Sequence, residues 1–408
     1  MKELSVAVLS GGFVDWGGGI EFLRHILHGL LRIKKEKNLK IYLILEEEPQ
    51  NRRIEEALKG MLRFVFRDKF NFLTKKPGTG NTDLLQAIEP IADEMEIIRH
   101  DGSIRSLEKV LSDSGVEVVL PCMKVLGKRF PVPWVGYVWD FQHRYYPDYF
   151  KRHEIYLRDR HFRSMVNTAK VLLVNSMSVK DDIDRFFPGH ASQVVALPFL
   201  APLIEGWLDP SPPGLSTRYG LPERYFLISN QFWIHKSHLT AFKALRYFMD
   251  QTGRKDVFVV CTGWMHDYRF PEHMENLKRE IRELRLQDRI LFLGHIPKSD
   301  QINIMKNCIA VIQPTLFEGG PGGGSVYDAV ALGVPSIVSD IPVNKEISDE
   351  SVSFFKAGSE QDLAMNMMRI VDSPRRNASR EELISSENRR VDKFAAALFE
   401  AMRSARSV

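Results

Sequence analysis

The chain has 408 residues, of which 44% are hydrophobic and 26% are charged, and its formal net charge is +4. That length is too great for one ordinary hydrophobic core, so two domains of roughly 150–200 residues are predicted. The positive excess is small and both signs of charge are mixed along the chain, which argues against a nucleic-acid partner. It remains compatible with peripheral attachment to an anionic membrane face.

The cysteines and the N-terminus point to a reducing compartment. Cys122, Cys261 and Cys308 lack metal-ligand spacing and have apolar neighbours, so we expect buried free thiols. The first apolar run is too short for a secretory signal. Nothing approaches the roughly 20 apolar residues that cross a bilayer. We therefore expect a cytoplasmic protein, free or at the inner face of the membrane.

In the first half, short β-branched runs alternate with longer amphipathic stretches, a pattern typical of parallel sheets covered by helices. A helix is predicted at Gly19–Lys37, and the aperiodic residues 67–80 predict a loop. Strands are predicted at Leu4–Leu9, Lys40–Leu45, Val116–Pro121, Trp134–Trp139 and Val171–Asn175.

After a linker rich in proline and glycine at 201–220, the alternation starts again. Strands are predicted at Tyr225–Ser229, Val257–Thr262, Ile290–Leu293, Ile309–Gln313 and Ser336–Ser339. Helices are predicted at His238–Asp250, Pro271–Leu284, Asp300–Asn307, Val326–Gly333 and Glu360–Val371. The pattern predicts an α/β chain with two doubly wound, Rossmann-like domains that face a cleft. The limits are 1–200 and 221–385, with a helix at 386–408 crossing back to the first domain.

The strongest motif is a glycine-rich segment, Pro314–Pro335, that follows a predicted strand. The five glycines between Gly319 and Gly324 allow close approach of the main chain and turn its N–H groups to one point, which suits a diphosphate or sugar hydroxyls. Glu318 is placed to accept from sugar hydroxyls, and Asp328 from both hydroxyls of a ribose. The alternative is a glycine-rich surface turn. The amides assigned to the ligand are those of Gly322, Gly323, Gly324 and Ser325.

This segment resembles the donor-site signature of the family 4 glycosyltransferases, which have the GT-B fold and retain anomeric configuration. The shared features are Glu-Gly at the start of the loop, then an acidic residue, Ala, small residues and Gly-x-Pro. The family usually has two glutamates separated by seven residues. Here Asp328 lies ten positions after Glu318, so the loop is two residues longer.

A second motif, Ser229–His238, directly follows a predicted strand. In the family this place carries an arginine and, five residues on, a lysine, and both neutralise the donor diphosphate. Lys236 matches the lysine, whereas Gln231 stands at the arginine position. A lysine at a helix start is unfavourable for the helix dipole, which favours a bound anion over a simply solvated side chain. The string Asn-Gln-Phe-Trp-x-His-Lys resembles a bacterial surface-polysaccharide branch of the family.

The third motif is Asp140-Phe-Gln-His143, after the predicted strand Trp134–Trp139. The same branch is similar here, and family members often place a histidine near the reacting carbon of the sugar. We therefore expect Asp140, Gln142 and His143 at the cleft, with His143, Asp140 and Glu318 as catalytic residues. The alternative for His143 is a packed core residue.

The fourth motif, Ser10–Glu21, lies between the first strand and the first helix and lacks strict dinucleotide-binding spacing. In the family this loop lines the acceptor side, and its glycines approach the donor phosphate. Gly17, Gly18 and Gly19 fit that role, and a plain tight turn is the alternative.

The resemblance implies transfer of a sugar from a nucleoside-diphosphate donor, GDP-mannose or a UDP-sugar. The acceptor would be a glycan or a lipid-linked glycan in surface-polysaccharide or lipopolysaccharide synthesis. No cofactor and no obligatory metal are expected, and the sequence has no Asp-x-Asp motif. Two alternatives stay open. One is another enzyme on this fold, a nucleotide-sugar epimerase or a phosphorylase, and the other is a non-catalytic nucleotide-sugar-binding subunit.

Overall fold

The computed structural model describes residues 3–15, 17–47, 80–204, 206–373 and 378–407. A first sheet has seven parallel strands in the order β3-β2-β1-β4-β5-β6-β7. Its strands are β1 (Leu4–Leu9), β2 (Leu39–Glu46), β3 (Glu96–His100), β4 (Val118–Cys122), β5 (Trp134–Tyr137), β6 (Val171–Val174) and β7 (Gln193–Ala196).

Helices cover both faces of this sheet. They are α1 (Gly17–Lys37), α2 (Gly80–Ile88), α3 (Ile104–Asp113), α4 (Gln142–Tyr145), α5 (Arg152–Thr168) and α6 (Met177–Phe186), with 3-10 turns at Glu89–Glu94 and Pro147–Tyr149. Serine caps start two of them, because the Oγ of Ser103 accepts from the Ser106 amide and that of Ser176 from the Val179 amide. The predicted loop at 67–80 lies outside the described residues except for Gly80.

A second sheet has six parallel strands in the order β10-β9-β8-β11-β12-β13. Its strands are β8 (Tyr225–Ser229), β9 (Phe258–Thr262), β10 (Ile290–Gly294), β11 (Val311–Gln313), β12 (Ser336–Ser339) and β13 (Val352–Phe355). The helices are α7 (Leu215–Tyr219), α8 (His238–Thr252), α9 (His273–Glu283), α10 (Lys298–Asn307), α11 (Gly323–Ala331), α12 (Glu360–Ile370) and α13 (Arg380–Arg406), with 3-10 turns at Ile234–Lys236 and Pro342–Glu346.

The predicted α/β class, with two doubly wound parallel sheets, is confirmed. Three strands were missed, β3, β7 and β13, and all three lie at sheet edges. An edge strand is covered on fewer sides, so its sequence lacks the continuous apolar run of a central strand. β7, for example, has no fully buried residue.

The last helix, α13, packs on the first domain although it follows the second in sequence. Its buried face joins the core formed by α1 and the first sheet, through Phe394 and Leu398 among others. Arg32 and Asp392 form an ion pair at 2.6 Å beside this contact. Among the described residues, every helix is too short or too polar to cross a membrane.

The close approach of α1 and α13 gives a stability prediction. Alanine in place of a helical glycine ordinarily stabilises by about 0.5–1 kcal/mol. At Gly29, however, a Cβ would fall 2.9 Å from the Cδ1 atoms of Leu398 and Phe394. Because overpacking costs about 1–3 kcal/mol, Gly29→Val should lower the free energy of unfolding in urea by that amount. Lys35→Ala, on the exposed face of α1, is the matched control and should change it by less than about 0.5 kcal/mol. If Gly29→Val and the parent have equal free energies of unfolding, the close contact between α1 and α13 is contradicted.

Candidate active site between the two sheets

A buried polar network lies at the carboxyl ends of β8 and β11, which are neighbours in the second sheet. The Nζ of Lys236 lies 2.5 Å from Oε1 of Glu318, and both side chains are only 11% exposed. Gln313 donates to the same oxygen at 3.0 Å, and Asn230 donates to Gln313 at 2.8 Å. The sequence analysis identified Lys236 and Glu318 but missed Gln313 and Asn230. Both could have been found from the sequence, because each is a polar residue at the end of an apolar strand.

Lys236 is held by the 3-10 turn on which it lies. Ile234 donates its amide to Oδ2 of Asp267 at 3.0 Å, which anchors the start of the turn. At the other side, the amide of Leu316 donates to the carbonyl of His235 at 2.8 Å. The turn is therefore tied to the loops that follow β9 and β11, and Lys236 approaches Glu318 on a fixed main chain.

The glycine-rich loop leads into α11, whose first main-chain amides have no hydrogen-bond acceptor within the described part of the chain. Gly322 and Gly323 have φ of +73° and +66°, and a Cβ at Gly323 would lie 3.0 Å from Nε2 of Gln313. The first amides of a helix have no intrahelical partner, so those of Gly323, Gly324 and Ser325 suit an anion. Gly322 was also expected to offer its amide to the ligand, but that amide already donates to Oδ1 of Asn344 at 2.8 Å.

The first domain contributes Asp140 to the same place. A Cβ at Gly319 would fall 2.3 Å from the carbonyl oxygen of Trp139 and 2.9 Å from Cβ of Asp140. Ser176 also donates to the carbonyl of Gly319 at 3.1 Å. Asp140 accepts from the amide of Gln142 at 2.9 Å. Glycine at 319 therefore lets the two domains meet, with Asp140 beside the start of the glycine-rich loop.

The position of His143 differs from the cleft location expected. The imidazole is fully buried among the rings of Phe141, Phe150 and Phe162, and its Nε2 lies 2.9 Å from Oδ1 of Asp159. Burial lowers its pKa. The physical reason is α4, which begins at Gln142 and turns the next side chain into the domain. The structure therefore gives His143 the packed placement.

Asp328 lies in a separate charged cluster. Its carboxylate is buried in α11, and Lys298 from the start of α10 lies 2.5 Å from Oδ2. Burial raises the pKa of Asp328, while the charge of Lys298 lowers it. Lys298 also lies 5.7 Å from the ring centre of Trp207. Glu21 of α1 interacts electrostatically with both Lys298 and Asp328. The sequence analysis missed Lys298, Trp207 and Glu21.

The remaining predicted residues flank these clusters. The helix α1 begins at Gly17, two residues earlier than predicted. Gly17, Gly18 and Gly19 therefore form its first turn and do not belong to the preceding loop. Gln231 is the second residue after β8, and its main-chain nitrogen would lie 3.3 Å from a Cβ at Gly263. The side chain of Gln231 is half-buried and uncharged, so the position that carries an arginine in the family has no positive charge in this chain.

Comparisons with known proteins agree with this geometry. Residues 218–390 match the family described as Glycosyl transferases group 1. HepE of Anabaena, solved with UDP and glucose, is 13% identical with a TM-score of 0.60, and the match covers 98% of this chain and 95% of that one. The fold is therefore that of the GT-B glycosyltransferases, as the sequence predicted, and the family match lies in the second domain. Family 4 membership and retention stay predictions.

Two further similar proteins are described as enzymes of lipopolysaccharide or O-antigen synthesis. The lipopolysaccharide outer core galactosyltransferase WaaB is 14% identical with a TM-score of 0.54, covering 97% of this chain and 99% of that one. The O-antigen chain mannosyltransferase RfbU of Salmonella typhimurium strain LT2 is 24% identical over 210 residues. That match covers 52% of this chain and 53% of RfbU, so this chain spans about half the length of that curated relative.

The two GT-B domains are also joined by a carboxylate that caps a helix. Glu346, in the turn Pro342–Glu346, accepts at 2.8 Å from the amides of Met177 and Ser178 and from the Ser178 hydroxyl. Met177 starts α6 of the first domain, so Glu346 fills its unpaired N-terminal donors and complements its dipole. This contact stabilises the arrangement of the two domains.

Removing the carboxylate tests that conclusion. We expect Glu346→Ala to shift the equilibrium toward an open form by about 1–3 kcal/mol, because two main-chain amides and a hydroxyl lose a charged acceptor. Small-angle scattering without ligand should then give a larger radius of gyration than the parent. Lys345→Ala, in the same turn but with an exposed side chain, is the matched control. An unchanged radius for Glu346→Ala would show that other contacts hold the domains together.

Proposed function

We propose that this GT-B protein is a glycosyltransferase that moves a sugar from a nucleoside-diphosphate sugar to a glycan or lipid-linked acceptor, retaining the anomeric configuration. The observation that carries the proposal is the Lys236–Glu318 pair beside the N-terminus of α11. It offers a cation and free amides for a diphosphate next to a carboxylate for sugar hydroxyls.

The proposed donor site stabilises the leaving group electrostatically. When the bond from the anomeric carbon to the diphosphate breaks, negative charge grows on the phosphate oxygens. Lys236 and the amides of Gly323 and Ser325 are fixed in place before the reaction, and such pre-oriented donors are the most effective in a water-poor cleft. The proposal therefore includes no obligatory metal.

The two carboxylates beside the loop have different proposed partners. Glu318 would exchange part of its pairing with Lys236 for hydroxyls of the transferring sugar. Asp140 approaches from the opposite domain and would orient the sugar or the acceptor. Asp328 would accept from the ribose hydroxyls, with Lys298 as its partner when the nucleotide is absent. Binding between the two domains excludes water, which protects the activated sugar from hydrolysis.

The biological setting is proposed from the relatives. RfbU is described as an O-antigen chain mannosyltransferase, which favours GDP-mannose as donor, with UDP-sugars next. The acceptor would be a surface-polysaccharide or lipopolysaccharide precursor, reached in the cytoplasm or at the inner face of the membrane. Consumption of a donor without acceptor would favour the epimerase. Binding without turnover over a broad acceptor panel would favour the non-catalytic subunit.

Glu318 gives the first functional prediction. Glu318→Gln should lower kcat by about 10²-fold or more, because the transferring sugar loses an anionic partner. Affinity for the nucleoside diphosphate, measured by calorimetry, should stay within a few-fold or rise, since Lys236 loses its competing carboxylate. Glu283→Gln, exposed at the end of α9, is the control and should change neither. A large loss of nucleotide affinity in Glu318→Gln would contradict this role.

Asp328 gives the second functional prediction, which concerns the ribose of the nucleotide. The parent should bind a ribonucleoside diphosphate more tightly than its 2′-deoxy analogue, because one accepted hydrogen bond is lost. In Asp328→Ala the two ligands should bind alike, each weaker than the ribonucleotide binds the parent. Calorimetry of all four combinations gives the coupling directly. A preference for the ribonucleotide that survives in Asp328→Ala would show that Asp328 does not contact the ribose.

A further inference from the structure

The loop that follows β9, residues 263–270, is fastened to the segment that lacks the family's arginine. The amide of Phe232 donates to the carbonyl of Trp264 at 2.9 Å. A Cβ at Gly263 would fall 2.1 Å from the carbonyl oxygen of Asn230, so only glycine allows this approach. Asp267 accepts from the amide of Ile234 at 3.0 Å. Whatever this loop carries is therefore held beside the turn of Lys236.

The loop carries Arg269, whose side chain is only 10% exposed. Its guanidinium lies 5.7 Å from the ring centre of Trp233 and 5.1 Å from that of Phe150 in the first domain. Nη1 donates to Oε1 of Gln142 across the cleft at 3.2 Å. The guanidinium is therefore held between the two domains by aromatic rings and one long hydrogen bond.

Much of the hydrogen-bonding capacity of Arg269 is unused. Its Nε is buried and has no hydrogen-bond partner among the described residues. The nearest carboxylate, Asp267, lies 3.6 Å from that Nε, which is beyond hydrogen-bond range. Both Asp267 oxygens accept main-chain amides instead, those of Ile234 and of Arg269 itself. Asp267 thus supplies a counter-charge without occupying the guanidinium donors.

A second guanidinium from the other domain faces the same ring. The guanidinium of Arg158 in α5 lies 4.8 Å from the ring centre of Phe150, and its Nη1 lies 3.7 Å from Oδ1 of Asp140. Burial lowers the pKa of Arg158, the charge of Asp140 raises it, and the charge of Arg269 lowers it. Two guanidinium groups thus face one aromatic ring in the cleft, and guanidinium groups are well suited to phosphate oxygens.

We propose that Arg269 binds the diphosphate of the donor and supplies the positive charge that Gln231 lacks. The loop after β9 thereby does the work that the family assigns to the end of β8. A guanidinium with a buried, unused N–H and a fixed plane is well suited to phosphate oxygens. The donor phosphate is favoured over an acceptor phosphate because the loop is bonded to the turn of Lys236, on the nucleotide side.

This inference rests on the proposed function, and calorimetry on the intact chain tests both. GDP, UDP and the matching nucleosides are titrated into the parent and into Arg269→Met, which keeps the side-chain stem and removes the charge. We expect the affinity for the diphosphates to fall about 10–100-fold and that for the nucleosides to stay within two-fold. A parent that binds neither diphosphate contradicts the proposed function itself. A parent that binds, with Arg269→Met binding equally well, overturns only the role of Arg269.

Two controls separate ligand binding from a purely structural role. Arg289→Met removes a guanidinium that faces Phe258 at 5.0 Å, at the opposite, amino end of the strands, and should leave all affinities unchanged. Gln142→Leu removes the hydrogen bond across the cleft but leaves the guanidinium in place, and should keep diphosphate affinity within about three-fold. If Gln142→Leu reproduces the loss, the contact between domains is responsible and the inference is wrong.

A rescue variant gives a readout that does not depend on loss alone. In the double variant Gln231→Arg with Arg269→Met, the charge returns at the family position. We expect at least a ten-fold recovery of diphosphate affinity relative to Arg269→Met, with nucleoside affinity unchanged. If instead Arg269→Met melts several degrees below the parent and Gln231→Arg restores nothing, Arg269 serves the fold and the inference is overturned.

Discussion

The ion pair between Lys236 and Glu318 is the interaction on which the cleft depends. A pair so little exposed is stable only when further hydrogen bonds compensate for lost hydration. Gln313 provides one to Glu318, and Asn230 in turn holds Gln313. The sheet order makes this possible, because β8 and β11 are neighbours and their carboxyl ends deliver both charges to one point. A diphosphate sugar would divide the pair, with the cation going to the phosphate and the carboxylate to the sugar.

The other charged groups in the cleft follow the same arrangement. Asp267 and Asp140 both accept hydrogen bonds from main-chain amides. Each carboxylate also lies 3.6–3.7 Å from a guanidinium nitrogen, that of Arg269 and that of Arg158 respectively. The carboxylates thus hold the loops and balance the charge, while hydrogen-bond donors of Arg269 stay available. Lys298 and Asp328 are in direct contact, so the nucleotide would have to compete with Lys298 for the carboxylate. Donor binding in this scheme rearranges existing ion pairs.

Closure of the two domains relies on very small residues and on helix ends. Gly319 is the clearest case, since any side chain there would collide with Trp139. Glu346 adds a charged contact by filling the N-terminus of α6. Because α13 packs on α1 after the chain has left the second domain, the chain crosses between the domains twice. The two domains can therefore move relative to one another only as far as these connections allow.

The amino-acid sequence predicted the α/β class with two parallel sheets, and it singled out Lys236, Glu318 and Asp328 as candidate donor-site residues. Apolar periodicity and glycine spacing are local properties, so they could be recognised without a structure. Edge strands such as β3 were missed because their burial depends on neighbours distant in sequence. For the same reason only the tertiary structure placed His143 in the core, gave Asp328 the partner Lys298, and joined the loop of Arg269 to the turn of Lys236. Each of these depends on which loops meet at the ends of neighbouring strands, and no local pattern encodes that.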